Sequence, residues 1–186
     1  MKLVLGVSGA SGVHLAWRFV ENLPLGVELF IVLSAHAKKA ALAEMGLNFN
    51  EKLKELKRPY TLYKHHEIDA PISSGSFNID AMAVIPASLN TFSKIAHGLC
   101  DDLLSRAAAV ALKEQKKLLI APRELPLHSI ALENLLKLAK AGAIIAPPLL
   151  TYYTKPKDLE SMELFLVGKW FDALGIAHDL YQRWGV

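Results

Sequence analysis

Apolar side chains in this chain fall into short unbroken runs, separated by longer stretches in which they recur every three or four positions. The runs at residues 2–7, 27–33, 81–85, 117–121 and 143–146 predict strands, with a weaker one at 60–64. They are continuous instead of alternating, so both faces of each strand are expected to be covered. Helical spacing fills the intervals at residues 11–22, 35–45, 50–57, 91–97, 101–114 and 129–141, and a last helix is expected over 157–174. Strand and helix taking turns in this way predicts βαβ units and a mostly parallel sheet. The expected fold is therefore a single-domain α/β three-layer sandwich over residues 1–186, doubly wound and Rossmann-like. Asn22 and Leu23 before Pro24, Gly46 after Met45, and Gly142 after Ala141 mark helix ends. Residues 152–158, with Pro156 and two lysines, read as an exposed loop before the last helix.

Composition sharpens this picture. A chain of 186 residues can bury one sizeable core, and 52% hydrophobic against 21% charged residues is rich for that size. With a mean hydropathy of +0.26, we expect a sheet buried on both faces and some apolar surface covered by other subunits. A net charge of +3 with no run of five basic residues argues against nucleic acid and suits small anionic ligands. The one cysteine, Cys100, excludes a disulfide framework within the chain and a multi-cysteine zinc site, and fits the cytoplasm. The apolar start is broken at once by Ser-Gly-Ala-Ser-Gly, too short for a signal peptide or a membrane span.

Candidate chemistry gathers at strand ends. Gly6-Val7-Ser8-Gly9-Ala10-Ser11-Gly12 leaves the first strand and enters a helix, where glycines admit a close ligand and free N–H groups attract an anion. Its G-x-x-G-x-x-G spacing is neither the dinucleotide fingerprint nor a P-loop. The second strand ends in Leu33-Ser34 without the acidic residue a dinucleotide ribose favours, so a mononucleotide such as FMN is the better guess. A plain tight turn is the alternative. In Pro86-Ala87-Ser88-Leu89-Asn90-Thr91, the Ser88 and Thr91 hydroxyls can either cap a helix or bind phosphate. Arg106 and Lys113 share one helical face, for which a solvated basic face is the plain reading. Arg123-Glu124 follows another strand and is either a crevice pair or an inert surface ion pair. Glu44 sits near a helix C-terminus, where the macrodipole disfavours a carboxylate by a few tenths of a kcal/mol. That slight conflict permits a functional role without demanding one, and Glu44 is expected to contribute little to folding. His128 lies near a helix start as a possible cap neighbour; the histidines form no metal pattern, and no metal is assigned.

Taken in order, Ser8-Gly9-Ala10-Ser11-Gly12, Ser74-Gly75-Ser76-Phe77, Pro86-x-Ser88-x-x-Thr91, Arg106-Ala107-Ala108 with Leu112-Lys113-Glu114, Arg123-Glu124-x-Pro126-Leu127-His128 and Pro147-Pro148-x-x-x-Tyr152-Tyr153 resemble the UbiX/Pad-type flavin prenyltransferase family over nearly the whole chain. The resemblance implies an FMN-binding flavoprotein that alkylates reduced FMN with the dimethylallyl group of dimethylallyl phosphate, at N5 and then C6. It implies that Gly9, Ala10, Ser11, Ser34, Ser88, Leu89, Asn90, Thr91 and Arg123 bind FMN. It further implies that Arg106, Lys113, Tyr153, Lys169 and Trp184 bind the prenyl phosphate, and that Ser11, Glu44 and Glu124 act catalytically. Lys169 stands where the family typically has arginine, which keeps the charge and loses the bidentate fork. Large homo-oligomers, a dodecamer included, with sites at subunit contacts are also implied, as is transfer of the product to a UbiD-type decarboxylase. Two alternatives stay open. FMN-dependent peptidyl- or phosphopantothenoyl-cysteine decarboxylases share the Pro86–Thr91 motif, but their Pro-x-Met-Asn segment is absent here. An FMN carrier would keep the flavin residues without needing Glu44, Lys113, Glu124 and Tyr153.

Overall fold

A computed structural model describes residues 1–46 and 48–185. Among them, six parallel strands form one sheet: β1 Lys2–Val7, β2 Glu28–Leu33, β3 Tyr60–Lys64, β4 Ala81–Ala87, β5 Lys117–Pro122 and β6 Ile144–Ile145. Their order is β3-β2-β1-β4-β5-β6, and each neighbouring pair is parallel. Successive side chains of the inner strands serve two separate cores. Leu3, Leu5 and Val7 of β1 and Ala81, Ala83 and Ile85 of β4 join one; Val4, Met82 and Val84 join the other. Burial on both faces is why these strands read as unbroken apolar runs. The expected doubly wound α/β sandwich is the observed fold.

The first core is covered by α1 Val13–Glu21, α2 Ala35–Met45, α3 Phe49–Leu53 and α7 Leu159–Leu174. Phe19 of α1 meets Phe171 of α7 edge to face with ring centroids 4.9 Å apart, a favoured aromatic geometry. Beside them the Arg18 Nε donates to the buried Glu163 carboxylate at 3.1 Å. The second core is covered by α4 Leu89–Ala96, α5 Leu103–Lys113 and α6 Ser129–Lys140, together with short 3₁₀ turns at Pro71–Ser73 and Gly75–Phe77. No helix among the described residues is long and apolar enough to cross a membrane.

Boundaries differ from expectation where a local polar contact decides them. α1 begins at Val13 instead of residue 11 because Gly12 is left-handed, with φ 97°. α5 and α7 each start two residues late, because Asp102 and Asp158 close capping boxes with Ser105 and Ser161 at 2.8 Å. α3 is shifted and short, starting where the Asn48 side chain caps Asn50 N. Continuation of β4 to Ala87 follows from a register shift that pairs Ala87 with Pro122. β6 shrinks to two residues, and beyond it the Ala146 carbonyl accepts from the Trp170 indole at 3.0 Å. Arg58, not singled out from the sequence, is buried and donates to the carbonyls of Leu23, Pro24 and Val27, closing the turn between α1 and β2.

Candidate active site

The chain leaves β1 toward β2 on one side of the sheet, while β4 lies on the other. Loops diverge at such a switch point, and the crevice between the carboxyl ends of the two strands is where open α/β sheets take ligands. Here the two turns are tied by Ser8, which is wholly buried. Its hydroxyl donates to the Pro86 carbonyl at 2.7 Å and accepts from Ser88 N at 2.7 Å.

Gly9 lies against the first turn of α2 so closely that a Cβ would stand 2.2 Å from the His36 Cβ. Gly12 takes the N-cap position of α1 and has no side chain to accept from the free N–H groups. Glu44, from the last turn of α2, does so instead. Its Oε1 accepts from Gly12 N at 2.8 Å and its Oε2 from Val13 N at 2.9 Å. A carboxylate there sits at the favourable end of the α1 dipole and satisfies two orphan donors. The expectation that Glu44 contributes little to folding is thereby corrected: the α2 dipole opposes it, but α1 holds it. Since Gly12 follows Ser11, the carboxylate also lies beside the Ser11 turn.

Ser34 caps α2 by accepting from Ala37 N at 3.1 Å, and its own N–H donates to the Val7 carbonyl at 2.9 Å. Ser88 caps α4, with its hydroxyl 2.9 Å from that of Thr91 and 3.4 Å from Thr91 N. Capping and ligand binding are compatible here, since each hydroxyl retains hydrogen-bonding capacity. Ala10, Ser88, Leu89 and Thr91 are half-buried, whereas Gly9, Ser11 and Asn90 are exposed at the crevice rim. The Arg123 N–H donates to the Ala87 carbonyl at 2.9 Å, which sets the start of its loop beside β4. Its guanidinium is exposed and forms no hydrogen bond or ion pair with a described residue, Glu124 included. The surface-pair reading of Arg123-Glu124 is therefore not realised. The Arg123 backbone is thus held one residue from the Ser88 turn, and a free guanidinium is a chemistry suited to phosphate.

Other expected site residues stand apart. Arg106 Nε donates to the Ser73 carbonyl at 3.1 Å, and Lys113 pairs with Glu114. Both lie over the Ser74-Gly75-Ser76 segment, where a Cβ on Gly75 would come 2.0 Å from the Glu114 Oε1. Lys113 ends α5 just before β5 begins, so it is at the opposite edge of the sheet from the crevice. Tyr153, Lys169 and Trp184 form a third group around α7, beyond β6. The Tyr153 ring meets Phe165 and Trp184, each at 5.7 Å. They border two cavities of about 650 and 490 Å³. Glu124 is half-buried on the loop after β5. His128 is itself the N-cap of α6, its Nδ1 accepting from Ala131 N at 3.3 Å.

The Flavoprotein family profile matches residues 1–163. The flavin prenyltransferase UbiX of Helicobacter pylori strain J99 is 57% identical over 186 residues, covering all of both chains. This chain belongs to the UbiX flavin prenyltransferase family. Two solved structures of the family superpose closely. AnUbiX (PadA1), in complex with FMN and dimethylallyl pyrophosphate, has a TM-score of 0.94 and 33% identity, with 100% of this chain and 97% of that one covered. A dodecameric FMN-dependent UbiX-like decarboxylase from Escherichia coli O157:H7 has a TM-score of 0.94 and 34% identity over all of both chains.

In this UbiX-family chain, sequence reasoning passed over Ser8 as a site-building residue. Ser8 stood within the Ser8–Gly12 motif directly after an apolar strand, but no role was assigned to it. Ser8→Ala is expected to strand the Ser88 N–H in a part-buried position, at about 1–3 kcal/mol of stability, and to weaken FMN binding by loosening the Ser88 turn. Denaturant unfolding alongside flavin titration checks both. An unchanged midpoint would show that the two turns hold each other without Ser8.

Proposed function

We propose that this UbiX-family chain is a flavin prenyltransferase, moving the dimethylallyl group of dimethylallyl phosphate onto N5 and C6 of reduced FMN for use by a UbiD-type decarboxylase. One observation supports the reading: Ser8 ties the β1 turn to the Ser88 turn, Glu44 closes the start of α1, and the Arg123 N–H rests on Ala87, so these segments share the β1/β4 switch point. These residues fit a flavin mononucleotide. Gly9 lets its turn lie directly against α2, and Ser34, Ser88, Thr91 and Arg123 suit the phosphate. Reduced FMN, when bound, supplies the nucleophilic nitrogen and carbon.

The chain's own residues then orient, neutralise and exclude water. Glu44 and Ser11 would accept the proton that N5 gives up, with Glu124 as a further proton-transfer group. Arg106, Lys113 and Lys169 offset the charge of the departing phosphate. Tyr153 and Trp184 would supply an aromatic wall that excludes water from the donor. Lys113 and the Tyr153–Trp184 group stand away from the crevice within one chain, so the reading needs further copies to complete each site. The E. coli UbiX-like relative is dodecameric. Exposed Leu125, Leu149, Leu150 and Trp184 provide apolar surface for such contacts. A cytoplasmic location belongs to the same proposal.

Incubating the protein with reduced FMN and dimethylallyl phosphate, followed by mass spectrometry of the flavin, is expected to show one added prenyl group. Tight FMN binding with unmodified flavin would favour a carrier. Oxidative decarboxylation of a cysteine-ended peptide would instead favour the cysteine decarboxylases. Ser88→Ala combined with Thr91→Ala should lower FMN affinity at least about tenfold, since hydrogen bonds to a charged group contribute about 1.5–3 kcal/mol. Unchanged affinity would remove that turn from the flavin site.

A further inference from the structure

Beyond α7 the chain turns at Gly175, which is left-handed with φ 78°, and runs back along the helix it has just left. One carboxylate holds this returning segment. Asp172 Oδ1 lies 3.0 Å from His178 Nε2 and 2.8 Å from Arg183 Nη2, while its Oδ2 accepts from the Tyr181 hydroxyl and from Arg183 Nη1 at 3.3 Å. Lys169, one turn earlier on α7, is 3.9 Å from Oδ2. We propose that Asp172 is a positioning residue for the prenyl-phosphate half of the site, fixing the C-terminal segment and with it Trp184 and Lys169. This rests on the flavin prenyltransferase reading and adds to it a residue that touches neither flavin nor donor.

Three observations separate this clamp from an ordinary surface ion pair. His178 is almost wholly enclosed, with 3% of its side chain exposed, so its bond to Asp172 is not a solvent contact. Gly168 leaves space for the segment: a Cβ there would come 2.5 Å from Tyr181 Cδ1. The Tyr181 ring then continues to Phe165 at 4.9 Å, Phe165 meets Tyr153, and Tyr153 meets Trp184. Trp184 itself is 85% exposed. Held by ring contacts alone, an indole that exposed would sample many orientations; it follows directly on Arg183, whose guanidinium is fixed at both ends of the carboxylate. Burial pushes the Asp172 carboxyl up, but the bonds from Arg183, Tyr181 and His178 outweigh it and hold it well below the usual carboxylate range. Burial and the Asp172 bond push the Tyr181 hydroxyl up to about 12. Both groups therefore keep these protonation states across the neutral range. The acid that Lys169 approaches to 3.9 Å is already engaged by Arg183, Tyr181 and His178.

The test uses the full chain, Asp172→Asn, Asp172→Glu, a chain ending at Tyr181, and the truncation combined with Asp172→Asn. Trypsin is applied to the flavin-free protein, and release of the residues after Arg183 is followed by mass spectrometry. Asp172→Asn should release them at least about tenfold faster than wild type. In turnover, Asp172→Asn and the truncated chain should each raise KM for dimethylallyl phosphate about tenfold, with FMN affinity unchanged and kcat altered less. Their combination should be no worse than either alone, because both remove one coupled unit, and Asp172→Glu should recover part of the loss. Equal tryptic release from wild type and Asp172→Asn overturns the clamp, whatever the enzyme does. Multiplying KM effects, or a parallel loss of FMN affinity, would overturn positioning through the C-terminal segment. A wild-type chain that shows the protection yet leaves reduced FMN unprenylated would overturn the functional reading and the positioning role with it, while the clamp itself would stand.

Discussion

Replacing Glu44 with glutamine should cut single-turnover conversion of reduced FMN about 10²–10⁴-fold, the usual contribution of a general acid–base group. It should also destabilise the fold. Glutamine keeps one acceptor for Gly12 N or Val13 N and turns an NH₂ toward the other, and it removes the charge from the α1 N-terminus. Losing such a cap costs about 0.5–2 kcal/mol, or roughly 2–4 °C in melting temperature per kcal/mol for a chain of this size. The two effects are separable because they are read in different experiments. Rapid-mixing turnover by Glu44→Gln at saturating FMN reports the chemistry, and thermal unfolding of the flavin-free protein reports the cap. Near-normal conversion with a lowered midpoint would make Glu44 a structural carboxylate alone. Lost conversion with an unchanged midpoint would mean that α1 finds its N-terminal partners elsewhere.

Lys169→Ala should lower kcat/KM for dimethylallyl phosphate about 10–100-fold, corresponding to the loss of a charged hydrogen bond of about 1.5–3 kcal/mol. FMN affinity should be untouched, because Lys169 lines a cavity with Pro147, Thr151 and Asp172, none of which belongs to the flavin turns. Lys169→Arg is the informative companion. A guanidinium can meet a phosphate through two parallel bonds, so it should match or exceed the wild-type chain in donor affinity. A rise in KM would show that the guanidinium turns to Asp172, within 3.9 Å of the lysine, in place of the phosphate. Steady-state dependence on the donor measured for all three chains decides it, and indifference of both variants would remove Lys169 from the site.

The sheet, the parallel pairing and the two-faced core could be read along the chain because burial leaves a local trace. A strand covered on both sides, such as β1, needs apolar residues at successive positions, and a helix such as α4 needs them at helical spacing; neither pattern depends on which element does the covering. The glycine turn at residues 6–12 and the hydroxyl turn at Ser88 and Thr91 were legible for the same reason, since a helix start after a strand is a local event. The position of Lys113 was also available in principle, because a helix that precedes a parallel strand must end at the far edge of the sheet. The rest depended on polar contacts that hydrophobic patterning does not record. Glu44 meets Gly12 at a separation of 32 residues, and only its own helix dipole could be weighed beforehand. Ser8 ties into Pro86 and Ser88 because β4, and no other strand, neighbours β1 on that side. Asp172 gathers His178, Tyr181 and Arg183 because the chain reverses at Gly175 and Gly168 leaves room for it. Hydrophobic periodicity records that a residue is covered; sheet order and chain reversal decide by what, and polar contacts at the site are set by that second choice.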